Sequence, residues 1–233
     1  MQEVTVGRPT TLRAVRPPLV WPLMLVAIAA TPAIVAAASY AGHWSGTTAG
    51  LAALIPMWLL VTPAVVWINR VYGAWLAFFA VVALPQLGHF GEHVGQMIQI
   101  HWQGAPPPKA HGAVGALDIE YVHFLWNLWV LIGASILLMH FRRNPWLWVT
   151  AVVGAWHMAE HVTIMIAYWS TGKVGDPGLL AKGGDIGGGL NIIRPDLHFI
   201  YNLAMTVPLM AAFVWQVRRA REEAERPALS LRG

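Results

Sequence analysis

Six stretches of this chain, residues 19–40, 50–68, 72–102, 119–141, 146–169 and 197–217, are long and apolar enough to cross a lipid bilayer. A crossing helix needs about 20 mostly apolar residues. In hydrocarbon each backbone N–H and C=O must be satisfied within its own segment, which selects helices for isolated apolar runs of this length. The expected fold class is therefore all-α: an integral membrane protein with six transmembrane helices, read as a single transmembrane domain over residues 1–233. The third stretch exceeds a simple crossing and is expected to tilt or protrude. Charge is scarce, 11% of residues against 57% hydrophobic, where a soluble domain carries about 25%. A soluble surface cannot be covered with so little. The chain has no cysteine, which excludes disulfides, thiolate metal sites and cysteine-held iron–sulfur clusters.

The basic residues give an orientation. Arg8, Arg13, Arg16, Arg70, Arg142, Arg143, Arg218, Arg219, Arg221, Arg226 and Arg232 fall on one side of the alternating spans, and only Lys109, Lys173, Lys182 and Arg194 on the other. Short loops rich in Lys and Arg stay in the cytoplasm. Both termini, residues 1–18 and the tail 218–233, are thus expected to be cytoplasmic. The loops 103–118 and 170–196 then lie outside a cell membrane. The first apolar run is too long for a signal peptide and has no clear cleavage site, so it reads as a retained anchor. The net charge of +4 follows from these loop arginines and implies no nucleic-acid partner. The partner that composition does imply is the lipid bilayer.

Two strings recur. His89-Phe90-Gly91-Glu92-His93-Val94 is matched by His157-Met158-Ala159-Glu160-His161-Val162, and the match continues through Met97-Ile98 and Met165-Ile166. Each copy is followed by a second string, His123-Phe124-Leu125-Trp126-Asn127-Leu128 and then His198-Phe199-Ile200-Tyr201-Asn202-Leu203. Leu and Ala coincide cheaply between apolar segments, but His, Glu, His, Met, His and Asn recurring in order do not. Residues 72–141 and 146–217 are accordingly expected to be two αα-hairpins. They would be related by a pseudo-twofold axis along the membrane normal and would together form a four-helix bundle. Residues 19–70 lack the strings and read as a separate packing hairpin.

Positions i, i+3 and i+4 share one helix face. His89, Glu92 and His93 therefore point together, as do His157, Glu160 and His161, while His123 and His198 start the following helices at nearly the same depth. Ionisable groups inside a bilayer are costly, so a layer of six imidazoles and two carboxylates calls for mutual compensation, which a metal cation supplies. The expected ligands are His89, Glu92, His93, His123, His157, Glu160, His161 and His198. That is enough for two transition-metal ions, with iron favoured and copper or zinc as alternatives. Asn127, Asn202, Met97, Met165, Asp118 and Asp196 are expected around the ligands; Asp118 and Asp196 stand at helix starts and can instead be caps, which for Asp196, following Pro195, is the favoured role. Glu120 is the candidate for a catalytic base. The HxxEH string also occurs in inverted zinc peptidases, where its Glu is the base. Two copies with two further matching histidines make ligation by all members the more economical reading.

Three functions fit this pattern. One is a membrane oxidoreductase of oxygenase or hydroxylase type, acting on a lipophilic or small substrate. Since no flavin or nicotinamide motif is present, it would need an external electron donor or partner membrane subunit. The second is a b-type haem electron carrier, although His at i and i+4 of one helix cannot bind opposite faces of one haem. The third is a metal transport or delivery protein, which needs a polar route below the cluster. The only groups available for that route are Asn127, Asn202, Thr150, Thr206 and His140.

Overall fold

The computed structural model describes residues 21–230, with side chains through residue 223. Expectations for residues 1–20 and 231–233, among them the flanking Arg8, Arg13, Arg16 and Arg232, lie outside the described residues, as does the Arg226 side chain. Among the described residues there are six α-helices and no strand: α1 Trp21–Ala41, α2 Gly46–Tyr72, α3 Ala74–His101, α4 Ile119–His140, α5 Pro145–Thr171 and α6 Arg194–Ser230, with a 3₁₀ turn at Pro107–Lys109. All six are long and apolar enough to span a membrane.

Local chemistry explains the helix limits. Ser45 caps α2 by accepting the Thr48 N–H at 3.1 Å. Asp118 caps α4, its Oδ1 accepting the Glu120 and Tyr121 N–H groups at 3.1 Å each. Asn144 accepts the Trp146 N–H at the start of α5 and, fully buried, donates to the Ala212 carbonyl at 2.9 Å, tying that turn to α6. Such caps satisfy backbone donors that have no partner within the helix. Two limits differ from expectation. A turn of several residues was expected between the second and third spans; α2 instead runs on to Tyr72, and Gly73 alone makes the break at φ 87°, a conformation open to glycine. The segment from residue 218, expected as a flank, continues α6 to Ser230, where Arg219 stacks over the Trp215 ring at 4.7 Å.

The helix α3 is the most buried of the six. It packs on α1, α2, α4 and α6, while α5 packs on α4 and α6. The face toward α1 is made of glycines. A Cβ at Gly91 would collide with the Ala29 carbonyl oxygen, and one at Gly95 would meet the Ala36 Cβ at 2.5 Å. Small residues bring helices close in hydrocarbon, where packing replaces the hydrophobic drive. Gly91→Val is therefore expected to destabilise the protein by about 1–3 kcal/mol through overpacking, read as a lower unfolding temperature in detergent. An unchanged temperature would mean that α1 does not seat on α3.

At the end of the bundle away from the two long loops, the interior is an apolar core that includes Phe79, Leu84, Leu137, Leu147 and Leu209. At the long-loop end, the interior turns polar.

Candidate metal centre

There, six buried histidines form two groups. His89 and His93 of α3 meet His123 of α4; His157 and His161 of α5 meet His198 of α6. Within each group one potential ligand atom per residue lies within 4.8 Å of the others. Each group thus combines both histidines of one HxxEH string with the histidine of the string that follows it. All six are at most 7% exposed.

In the first group, hydrogen bonds set the ring tautomers. The His123 Nδ1 lies 2.6 Å from the Ile119 carbonyl, which can only accept. The Gln96 amide donates to the Ala110 carbonyl at 2.6 Å, so its Oε1 faces the His93 Nδ1 at 3.3 Å as an acceptor. The His89 Nδ1 lies 3.4 Å from Glu92 Oε2. The Nδ1 atoms of His93 and His123 therefore carry the proton and their Nε2 atoms present lone pairs, while His89 Nδ1 stands beside the Glu92 carboxylate. The His89 and His93 Nε2 atoms face each other at 3.2 Å, and with the His89 proton on Nδ1 beside Glu92 both would present lone pairs to the space between them. Two nitrogens bound to one ion at about 2.0–2.1 Å stand about 2.9–3.4 Å apart over ordinary coordination angles. A cation between them would be held by both nitrogens.

The second group is less constrained. His157 Nε2 lies 3.4 Å from His198 Nδ1, while His157 Nδ1, His161 Nδ1 and His198 Nε2 have no hydrogen-bond partner despite their burial. An unsatisfied buried polar atom costs about 1–3 kcal/mol, so this pocket also favours an added cation. The two groups share a wall. The His93 and His198 ring centres are 4.9 Å apart, His123 and His198 5.2 Å, and His123 and His161 6.2 Å with planes within 10°. Asn127 bridges them, donating to the His123 carbonyl at 2.8 Å and approaching His161 Nε2 at 3.0 Å. Asn202 donates to the His198 carbonyl at 3.1 Å and accepts from Gln86 at 3.3 Å. The aromatic residue before each Asn lies against the first histidine of its group, Trp126 on His89 at 4.9 Å and Tyr201 on His157 at 5.3 Å.

The two glutamates, expected among the ligands, also anchor the long loops. Glu92 Oε1 accepts the Ala113, Val114 and Gly115 N–H groups at 3.1, 2.6 and 2.7 Å. Glu160 likewise receives backbone hydrogen bonds from Leu179 and Leu180. Carboxylates buried beneath a loop meet a ready set of backbone donors, and these bonds fold each long loop down over its histidines. A glycine covers each carboxylate, Gly112 at φ 72° over Glu92 and Gly178 at φ 69° over Glu160, where a Cβ would collide. The second oxygen of each is not taken up by its loop: Glu92 Oε2 lies beside His89, and Glu160 Oε2 has no hydrogen-bond partner among the described residues.

Glu120, the candidate base, is committed elsewhere. Both of its oxygens are bound by the Arg194 guanidinium, at 2.8 and 2.6 Å, and Oε1 also accepts the Gly175 N–H. Such a fork favours the ionised carboxylate and ties Glu120 to Arg194. Asp118 is a cap, and its Oδ2 also accepts the Tyr168 hydroxyl. Asp196, where capping was the favoured expectation, pairs with His101 at 2.9 Å near the surface. Met165 is buried on α5 and Met97 half-buried on α3. Gln86, Gln96 and Arg194 carry much of the supporting hydrogen bonding and were not anticipated. Gln96 was detectable, standing three residues after His93 on the same face, but its matched position in the second string is Ile164, so a search by repetition passes over it.

Above the histidines, between the two long loops, lies a cavity of about 390 Å³ that reaches His123 and His198. His111 stands in its wall. Partial burial lowers the His111 pKa below the ordinary value, and this outweighs the opposing pull of Glu120.

Fold and site together define a polytopic membrane protein with paired, buried histidine triads spaced to hold metal ions. Comparison with protein-family models, curated proteins and solved structures returns no match, so the function is argued from the chemistry of the site.

Proposed function

We propose that the two triads hold a pair of transition-metal ions and that the protein is a membrane oxidoreductase acting on a small molecule beside that pair. The observation that carries the reading is the first triad, where acceptors hold the Nδ1 atoms of His93 and His123, the Glu92 carboxylate lies 3.4 Å from that of His89, and the facing His89 and His93 Nε2 atoms stand 3.2 Å apart. Ligating histidines usually donate their other N–H to a carboxylate, carbonyl or amide, which fixes their orientation. The expectation of iron rested on carboxylate ligands. Each glutamate gives one oxygen to its loop, so imidazoles dominate the donor set, which suits copper at least as well as iron, and we take a copper pair as the occupant. Dioxygen would be the oxidant. Inserting one oxygen atom into a C–H bond and reducing the other to water takes two electrons and two protons, so a separate electron donor is required. The protein's own part is to hold the ligands rigid, to exclude bulk water from a buried layer, and to admit substrate through the cavity.

The matching of the strings, the paired aromatic contacts on His89 and His157 and the paired glycine covers support twofold-related hairpins in a four-helix bundle. The surplus of arginine at the end carrying the termini supports a cytoplasmic placement of that end and an external one for the centre.

The alternatives fare less well. A porphyrin needs a flat slot between its axial ligands, whereas the rings of the two triads crowd together at 4.9 and 5.2 Å. A transport route needs polar steps through the far half of the bundle, where Phe79, Leu84, Leu137, Leu147 and Leu209 are packed. Gln96→Leu frees the His93 Nδ1 and is expected to weaken metal affinity about 10–100-fold, measured by competition with a chelator. No change would remove Gln96 from the site. The functional test is oxygen uptake by copper-loaded protein in nanodiscs with ascorbate as donor. Uptake that His93→Ala abolishes supports the reading. A loaded protein that consumes no oxygen, or that retains only zinc, refutes it.

A further inference from the structure

The cavity over the triads has a chemistry of its own. At about 390 Å³ it falls within the range of small-molecule sites, about 300–1,000 Å³. Prolines and aliphatic side chains, including Pro107, Pro177 and Ile193, supply half of its lining residues, and His123 and His198, one from each triad, also line it. No carboxylate side chain lines it. Two cations do, but they differ. Arg194 is neutralised by its two-pronged contact with Glu120. Lys182 makes no ion pair among the described residues, and its backbone is anchored by an N–H bond to the Ile192 carbonyl at 2.9 Å. His111 and Gln96 add neutral hydrogen-bonding groups beside it.

An apolar wall with one unneutralised ammonium and no opposing carboxylate selects for charge as well as shape. We propose that this cavity binds a small organic acid: an apolar body against the prolines, with a carboxylate paired to Lys182. This names the substrate class of the same site and to that extent rests on the metal reading. Binding itself depends only on protein groups, so the two ideas can fail separately.

The test uses full-length protein in lipid nanodiscs, both metal-free and copper-loaded, with 4-fluorobenzoate as probe and neutral 4-fluorobenzyl alcohol as control. Binding is followed by fluorine NMR line broadening, with empty nanodiscs subtracting partition into lipid. Saturable binding of the carboxylate is expected, roughly tenfold tighter than the alcohol, as one charge-assisted contact provides. Lys182→Ala should remove that preference, leaving alcohol binding and metal content unchanged, and Lys182→Arg should restore it. Lys182 is an exposed loop residue, so its replacement leaves the packed interior intact. Equal affinity for the two probes, no saturable carboxylate binding, or indifference to Lys182→Ala overturns the proposal. Carboxylate binding that persists in a protein unable to retain copper would sink the metal reading alone.

Discussion

Replacing His93 with alanine is expected to lower the metal content of the purified protein from two ions per chain to at most one. His93 stands between the two triads. Its Nε2 faces His89 at 3.2 Å, and its ring lies 4.9 Å from that of His198 across the shared wall. Removing it takes one of three imidazoles from the first triad and leaves Gln96 facing a void. His43→Ala is the matched control. His43 lies in the short turn between α1 and α2 and takes part in neither triad, so it should retain both ions. Elemental analysis decides the matter. Loss of metal in both variants, or in neither, would show that the triads are not where metal is held. The accompanying absorption spectrum should lack a Soret band, since a band of that strength would mark a haem.

The second large effect is expected at the Arg194–Glu120 pair, and it concerns stability. The Glu120 side chain is 1% exposed and that of Arg194 17%. Removing one partner of a buried pair strands the other charge, at a cost of about 3–5 kcal/mol. Arg194→Leu should therefore unfold at markedly lower denaturant or temperature. The double variant Glu120→Leu with Arg194→Leu should recover much of the loss, because no lone charge remains. The pair joins the starts of α4 and α6 and holds the second loop through Gly175. A Glu120 acting as a free base would give a different result: Glu120→Gln would abolish turnover while leaving stability unchanged.

Much of this was legible from residue order. Hydropathy placed six helices because hydrocarbon leaves an apolar run of that length little choice. The i, i+4 spacing brought His89 to His93 and His157 to His161 because it is a property of any helix. Placing His123 and His198 at their level took only a count of residues per turn. The glutamates were harder. Their spacing puts them on the ligand face, but a side chain's partner depends on what else arrives there, and the backbone of residues 113–115 and 179–180 arrives by loop folding that no periodicity records. Gln86, Gln96 and Gln99 were missed for a related reason. They are buried because α3 is surrounded by four helices, whereas the matched positions on α5 are Gly154, Ile164 and Ala167. Repetition finds what the two hairpins share and is blind to what the central one needs for its extra neighbours. The Gln99 amide, for instance, donates to the Ala36 carbonyl of α1 at 2.7 Å.

X-ray absorption of the metal-loaded protein tests the paired triads most directly. The predicted first shell is about three nitrogen neighbours per ion near 2.0 Å, with a second metal scatterer within about 4 Å. A single isolated ion, or a first shell dominated by oxygen with no imidazole scattering, would contradict the account.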